Sequence, residues 1–228
     1  MNLAARLSPL VCGLALLASS AASAMPGDKE VARRVAFGGV CFGCELSGRK
    51  LAGAHFMGAN FAGAAMVGSD LREARFIGSS FARADLSRAD LSQAQLMGVS
   101  FAGANLARAR LSGIDGKGVN FAGANLNGAV FREARLFGVN LAGTDSRDAD
   151  FRDADLSAAV LVGGRFGGAD FRDAALRGAL IAGVDLSRAR GLKQAQLNEA
   201  CADTRTRPPR GLTARPCVTV RLIAQPMR

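Results

Sequence analysis

Large hydrophobic residues recur at every fifth position from Leu46 to Leu186. Of the 29 positions in this series, 27 hold Leu, Phe, Met or Ile, and the exceptions are Gly116 and Ser146. A small residue, most often Ala, lies two positions before each centre, and Asp or Asn often lies between them. A period of five fits neither an α-helix at 3.6 residues per turn nor a strand at 2.0. The pattern therefore predicts a chain that turns a corner every five residues, with the centre and the small residue pointing inward.

The five-residue unit resembles the consensus of the pentapeptide-repeat family, Ala-(Asp/Asn)-Leu-x-x. The segments 84–88, 104–108 and 154–158 match it closely, and the resemblance covers residues 41–190. The resemblance implies an all-β fold, a right-handed quadrilateral β-helix with four pentads per coil, about seven coils and short helical caps. Neighbouring coils are expected to satisfy each other's backbone N–H and C=O groups.

The first 24 residues are interpreted as a signal peptide. Arg6 supplies the positive start, residues 10–18 form a short apolar run, and residues 22–24 (Ala-Ser-Ala) fit the cleavage rule, which leaves Met25 as the mature N-terminus. The alternative is an uncleaved membrane anchor, which is disfavoured because a spanning helix needs about 20 apolar residues. We therefore expect an exported protein, periplasmic or secreted, that does not span the membrane.

Caps are predicted at both ends of the solenoid. Residues 25–40 are assigned to an N-terminal cap, with a short helix over 29–35. Residues 191–228 are assigned to a helical cap, with its helix over 192–200, and a basic disulfide-bonded tail. This last segment carries seven positive and two negative residues.

Four cysteines remain in the mature chain, Cys41, Cys44, Cys201 and Cys217, and an even number in an oxidising compartment suggests two disulfides. The two pairs lie at opposite ends of a rod of about 35 Å, whereas a disulfide needs Cα atoms within about 7 Å. We predict Cys41–Cys44 and Cys201–Cys217, unless the tail doubles back. A redox Cys-x-x-Cys motif and a four-cysteine zinc site are the disfavoured alternatives.

Gly116 and Ser146 interrupt the series of large centres, and we expect a different local packing at each. At Gly116 the missing volume is replaced by Ile114 two residues earlier, as close packing demands. Ser146 has Thr144 two positions before it. This second polar residue can bond the serine but does not replace the missing side-chain volume, so we expect local loosening or a small bulge. The stack that we expect on one side of the interior consists of Phe61, Phe81, Phe101 and Phe121.

Residues twenty apart share a wall, and three walls are distinctive. The charged wall, centred on residues such as Leu71 and Phe151, displays Arg followed by Glu or Asp, which predicts a salt-bridged, soluble surface.

The next wall, centred on residues such as Phe76 and Leu136, is named the methionine wall. The wall after that, named the alanine wall, presents small uncharged residues. The first outward residues of the methionine wall are Met57, Ile77, Met97, Lys117, Phe137, Ser157 and Arg177.

A contiguous apolar patch on an outer surface usually marks an interaction site. We therefore predict an interaction surface made by Met57, Ile77, Met97 and Phe137. The alternative is that a terminal segment folds back and covers this patch.

Enzymatic chemistry is not indicated by the sequence. The single histidine, His55, is interpreted as a surface residue, and no phosphate loop, metal cluster or cofactor motif is present. Members of the family that imitate DNA and occupy gyrase need an acidic rod, whereas this chain has a net charge of +10, and its export also argues against nucleic acid as a ligand. The remaining function is a cell-envelope scaffold that binds an unknown protein or a second copy of itself.

A second hypothesis places function in the basic tail. Its arginines would bind anionic envelope polymers or lipid head groups, and such binding would weaken as salt is added. These residues are Arg205, Arg207, Arg210, Arg215 and Arg221.

Overall fold

The computed structural model describes residues 35–37 and 39–216. The predicted signal peptide, residues 25–34, Cys217 and Arg221 lie outside the described residues. Three short strands, β1 (Val35–Phe37), β2 (His55–Met57) and β3 (Arg75–Ile77), form a parallel sheet in the order β1-β2-β3. One helix, α1, spans Gln194–Glu199.

The chain forms a β-helix solenoid whose repeat is twenty residues. Parallel bridges connect each pentad to the pentad twenty positions later, from Val40 with Asn60 to Asp170 with Arg190. The same shift pairs Phe56 of β2 with Phe76 of β3. Each coil therefore contains four pentads. The handedness and the number of coils stay predictions.

Most pentads of the described solenoid contain a tight turn immediately after the buried centre. In one example the N–H of Ala84 donates to the carbonyl of Phe81 across 3.0 Å, and Arg83, the third residue of the turn, has φ 57°. A type II turn requires positive φ at this position, which explains why glycine is so frequent there. Between coils the N–H of Phe81 donates to the carbonyl of Ser100 across 2.7 Å.

Most of the Asp and Asn residues that precede a centre support the turn through their side chains. Oδ1 of Asn60 accepts from the N–H of Ala62 at 3.0 Å, and Oδ1 of Asp85 accepts from the N–H of Ser87 at 2.9 Å. Both are Asx-type contacts, in which the side chain replaces a backbone acceptor. This hydrogen bond gives a physical reason for the frequent Asp and Asn in the repeat.

Large centres and the small residues two positions before them fill the interior, as the register predicts. Leu86 is fully buried and Ala84 is 1% exposed. The predicted phenylalanine stack is confirmed, with ring centroids of successive members 4.9, 5.0 and 5.1 Å apart. The stacked rings fill one side of the tube through four consecutive coils.

The exchange of volume at Gly116 is also confirmed. A Cβ atom at this glycine would lie 3.3 Å from Cδ1 of Ile114 and 3.1 Å from Cδ2 of Leu136. Both side chains therefore occupy space that a normal centre would fill.

The expected loosening at Ser146 is wrong. Its N–H keeps the inter-coil hydrogen bond to the carbonyl of Arg165 at 2.8 Å, and the ladder continues without a bulge. The hydroxyls of Thr144 and Ser146 lie 2.9 Å apart, and Thr144 also donates to the carbonyl of Leu141. The pair satisfies its own polar atoms, so burial does not force the backbone open.

At the N-terminal end, the strand β1 lies where the sequence predicted the end of a helical cap. Val35 pairs with His55, so the twenty-residue ladder includes residues 35–37. The rest of the predicted helix falls outside the described residues.

The C-terminal helix is shorter than predicted, but it covers the end of the solenoid. Leu197 of α1 is fully buried, and Nε2 of Gln196 donates to the carbonyls of Phe171 and Ala174 at 2.8 Å each. Oδ1 of Asp203 accepts from the N–H of Gly183 at 2.7 Å. These side chains form hydrogen bonds with backbone groups that would otherwise need a further coil as their partner.

Candidate interaction surface

The predicted apolar residues stand on the outside of the methionine wall. Met57 and Met97 are each 45% exposed and Phe137 is 50% exposed, whereas Ile77 is half-buried. Each lies directly after a buried or missing centre, at the start of the turn. Because the ladder fixes a twenty-residue shift, these side chains form one column along the solenoid.

A column of glycines runs beside the apolar column. Gly58, Gly78, Gly98, Gly118 and Gly138 all have φ between 62° and 66°. A Cβ atom at any of these positions would find nothing within 4 Å. The wall is therefore low beside the protruding methionines and phenylalanine, and another surface can approach the backbone closely.

A third column, which lies before the centres, carries polar and charged residues. Its members are His55, Arg75, Gln95, Asp115, Arg135 and Asp155. Arg75 and Arg135 are exposed, and neither forms an ion pair among the described residues. Asp115 is also without an ion pair there, and its buried Oδ1 has no hydrogen-bond partner. The predicted interaction surface contained only the outward residues after the centres and not this column, although the column repeats with the same spacing.

The charged wall behaves differently because four of its arginines are paired with aspartates of the same wall. Arg72 bonds Asp70 at 2.7 Å and Arg172 bonds Asp170 at 2.6 Å. These hydrogen bonds from the guanidinium groups hold the pKa values of both carboxyls below their usual value. The arginine partners are the aspartates two residues earlier, rather than the acidic residues that follow. This wall therefore has fewer unpaired charges to offer a ligand.

The alanine wall is nearly free of charge, as predicted. Its outward residues from Asn60 to Gly183 are Ala, Gly, Asn, Ser, Val and Leu, with Arg83 as the exception. Val162 and Leu180 are each 40% exposed at its C-terminal end. The side chains of Asn60, Asn120 and Asn140 are occupied by the turn contacts to Ala62, Ala122 and Ala142.

The fourth wall, half a coil from the methionine wall, contains a shallow open groove of about 560 Å³. Arg88 and Arg108 line it without an ion pair among the described residues, while Arg147 is bonded to Asp145 at 2.6 Å. A ladder of amides, from Asn125 to Asn105 and from Asn105 to Asp85, runs along the same wall. None of the predicted site residues lies on this wall between Glu45 and Arg188.

Within the basic tail, two of the predicted arginines are held by the solenoid end. Arg205 contacts Asp203 at 3.0 Å and Arg207 contacts Asp185 at 3.6 Å. Arg210 and Arg215 are exposed and form no ion pair within the described part of the chain. The tail role of these residues stays a prediction.

Cys41 and Cys44 occupy the two inward positions of a single turn. Their sulfurs are joined in the structure, and their Cα atoms lie 5.2 Å apart. Cys201 is disulfide-bonded, and its predicted partner lies outside the described residues. Formation of either disulfide in the cell depends on export, and both stay predictions.

Among the described residues, no group of three or more His, Cys, Asp or Glu side chains could hold a metal ion. No helix within residues 35–37 and 39–216 is long and apolar enough to cross a membrane. His55 lies half-buried in β2, in the column before the centres.

The solved structures that are similar to this chain have TM-scores below 0.5. HetL from the cyanobacterium Nostoc sp. strain PCC 7120, a pentapeptide repeat protein involved in heterocyst differentiation regulation, is 25% identical, with 79% of this chain and 90% of that chain covered and a TM-score of 0.39. QnrB1, a plasmid-mediated fluoroquinolone resistance protein, is 21% identical, with 76% and 85% covered and a TM-score of 0.32. A pentapeptide repeat protein from the Arabidopsis thaliana thylakoid lumen is 25% identical, with 60% and 71% covered and a TM-score of 0.21.

Curated proteins gave no significant match. The family model of pentapeptide repeats, in contrast, matches the sequence. It finds eight copies, over residues 41–78, 79–115, 94–132, 117–153 and 149–188. These matches cover well over half of the chain and coincide with the ladder of twenty-residue bridges. The chain therefore belongs to the pentapeptide repeat family.

Proposed function

We propose that this protein is a non-enzymatic interaction module of the cell envelope that binds through its methionine wall. The observation that carries the proposal is the exposed column of Met57, Met97 and Phe137 along the outside of the methionine wall. Exposed apolar side chains in contiguous patches are typical of binding surfaces.

The contrast between walls supports this choice. On the charged wall, Asp70, Asp150 and Asp170 are all bonded to arginines of the same wall. On the methionine wall, Arg75, Asp115 and Arg135 have no such partners among the described residues. Unpaired charges beside exposed apolar groups provide both the area and the directionality that a specific partner needs.

The function is tested by adding charge to the methionine wall. Met97→Glu combined with Phe137→Glu is expected to abolish capture of envelope partners after crosslinking in cells, because a partner would have to desolvate two new carboxylates. A matched control, Ala107→Glu combined with Asn127→Glu, adds the same charge at the same turn position half a coil away.

Three results would be informative about the surface. Loss of the captured partners in the first variant and retention in the control supports the proposal. Equal capture by both variants contradicts it. Capture that survives both variants but disappears steeply with added salt favours the arginine tail instead.

A further inference from the structure

We propose that the methionine wall is the interface of an antiparallel, two-fold symmetric homodimer. The inference deepens the proposed function, on which it rests, because it names a second copy of this chain as the partner of the same surface. A two-fold interface must be self-complementary, so residue i meets residue j of the second copy and residue j meets residue i. The three columns of the wall meet this condition when the axis passes through the coil that contains Met97.

The apolar column pairs with itself in this arrangement. A two-fold axis in the interface plane and perpendicular to the solenoid reverses the order of the coils, while each column still faces its own copy. Met97 then faces Met97 of the second copy, and Met57 faces Phe137, since each lies two coils from the axis. Ile77 faces Lys117, whose aliphatic stem can cover it while the ammonium group reaches water. All three strongly exposed apolar side chains of the column are covered together.

The charged column gives the stronger argument, because the same axis brings opposite charges together. Arg75 and Asp115 lie one coil on either side of Gln95, so Arg75 of each copy faces Asp115 of the other. Gln95 faces Gln95, whose amide can both donate and accept. Two symmetry-related ion pairs would thus flank the central methionines.

Neither member of this pair has an ion-pair partner among the described residues of its own chain. Arg75 is exposed without an ion pair, and Asp115 lacks one although Arg135 is bridged to it in the next coil. Oδ1 of Asp115 has no hydrogen-bond partner in the described structure. Asp115 is only half-buried, so the exposed part of its carboxylate can accept from a guanidinium of the second copy.

The glycine column allows the close approach that the pairs require. It extends from Gly58 to Gly138 and is centred on Gly98, which lies in the same coil as Met97. It is interrupted at Ala158, beyond the last large apolar residue of the column, and glycine returns at Gly178. The five consecutive glycines and the apolar side chains beside them are therefore centred on the same coil.

A parallel two-fold arrangement does not reproduce these contacts. It would place the charged column of one copy against the apolar column of the other, so that Arg75 faces Ile77 and Gln95 faces Met97. The antiparallel arrangement has one unfavourable contact, between the basic residues His55 and Arg135 at the ends of the patch. The patch extends over four coil steps, about 19 Å, so we expect a weak dimer rather than an obligate one.

Charge exchange across the interface tests this arrangement. Arg75→Asp and Asp115→Arg should each weaken dimerisation at least tenfold, because each creates like-charge contacts in both symmetry-related pairs. The dissociation constant of the double variant should return to within about threefold of that of the unaltered protein, because both ion pairs are re-formed with reversed sign. Sedimentation velocity of the mature protein over a concentration series measures the dissociation constant.

Cysteine crosslinking gives an independent measure of register. Met97→Cys is expected to form a disulfide-linked dimer, whereas Ala107→Cys, half a coil away, is not. Ile77→Cys combined with Lys117→Cys should also crosslink between copies. Within one chain these two positions are two coils apart, about 10 Å, which exceeds the reach of a disulfide of about 7 Å.

The outcomes separate the dimer from the proposed function. If the protein stays monomeric at its highest soluble concentration and the double exchange restores nothing, the dimer is overturned. In that case, loss of envelope partners in the Met97→Glu plus Phe137→Glu variant would leave the proposed function standing. If the exchange and the crosslinks behave as stated while no other partner is captured, the dimer stands and the binding function is self-assembly.

Discussion

At the scale of the residue, each position of the pentad has one physical task. The centre and the small residue before it are buried, as in Leu86 and Ala84. The intervening Asp or Asn bonds the turn, and the second residue after the centre adopts positive φ. Among the described residues, ten other than glycine take this conformation, Arg88 and Ala158 among them. A β-turn tolerates them at a cost of about 1–2 kcal/mol each, which the surrounding ladder of hydrogen bonds offsets.

The compensation at Gly116 gives a testable consequence at this scale. Ile114→Ala should destabilise the protein by about 2–5 kcal/mol, because it leaves a cavity in a coil that already lacks its centre. Gly116→Leu alone should cost about 1–3 kcal/mol, because its side chain would collide with Ile114 and Leu136. The double variant restores the ordinary pentad, so its loss in the free energy of unfolding should be well below the sum of the losses in the two single variants.

Chemical unfolding of the four proteins measures this coupling. Ile181→Ala combined with Gly116→Leu is the control, since these residues lie more than three coils apart and should be additive within about 0.5 kcal/mol. Additive losses for Ile114→Ala and Gly116→Leu would show that the two side chains do not share one space.

At the scale of the element, the ends of the solenoid differ from its middle. A middle coil has partners for its backbone on both sides, whereas the last coil needs substitutes. The amide of Gln196 serves the carbonyls of Phe171 and Ala174, and the carboxylate of Asp203 serves the N–H of Gly183. Such caps keep the edge from pairing with other chains.

The cap at Asp203 predicts a dependence of stability on pH. Burial works to raise the pKa of this carboxyl, but hydrogen bonds from the Gly183 N–H, Arg205 and Thr206 outweigh it and lower the pKa to about 2. A carboxyl whose pKa is lowered on folding stabilises the folded state when it is ionised. Its contribution is therefore present above the unfolded value of 3.8 and lost as the pH falls towards 2.

Asp203→Asn should remove this part of the pH dependence. Thermal unfolding between pH 6 and pH 2 is expected to show a smaller drop in midpoint for the variant than for the unaltered protein. Glu199→Gln removes an exposed carboxylate from the neighbouring helix α1 and serves as the control. Identical curves for Asp203→Asn and the unaltered protein would mean that the carboxylate does not cap the end as an anion.

At the scale of the whole molecule, the solenoid converts a one-dimensional repeat into flat walls of different character. Charges on one wall are paired along the chain, while another wall has exposed methionines and unpaired ions. Because each coil contacts its neighbours through regular hydrogen bonds, the walls are rigid surfaces with fixed spacing. The proposed binding function and the proposed dimer both depend on that regularity.

Export gives the prediction that belongs to this scale. Mature protein recovered from the envelope or the medium is expected to begin at Met25, and its four cysteines should resist alkylation until they are reduced. Mass spectrometry with and without reductant measures both. A full-length chain with free thiols in the cytoplasm would contradict the proposed location, while the fold would be unaffected.

Several features could be predicted from the sequence because they are properties of a local pattern. The five-residue register identified the buried side chains, the family and the stack from Phe61 to Phe121, since side-chain volume and turn chemistry are encoded within a few residues. Other features required the tertiary structure, because they depend on contacts between coils twenty residues apart. The self-satisfied pair of Thr144 and Ser146, the arginine partners on the charged wall and the unpaired Asp115 are of this kind. A sequence states which residue types are present, but hydrogen-bond satisfaction depends on distances that exist only once the coils are stacked.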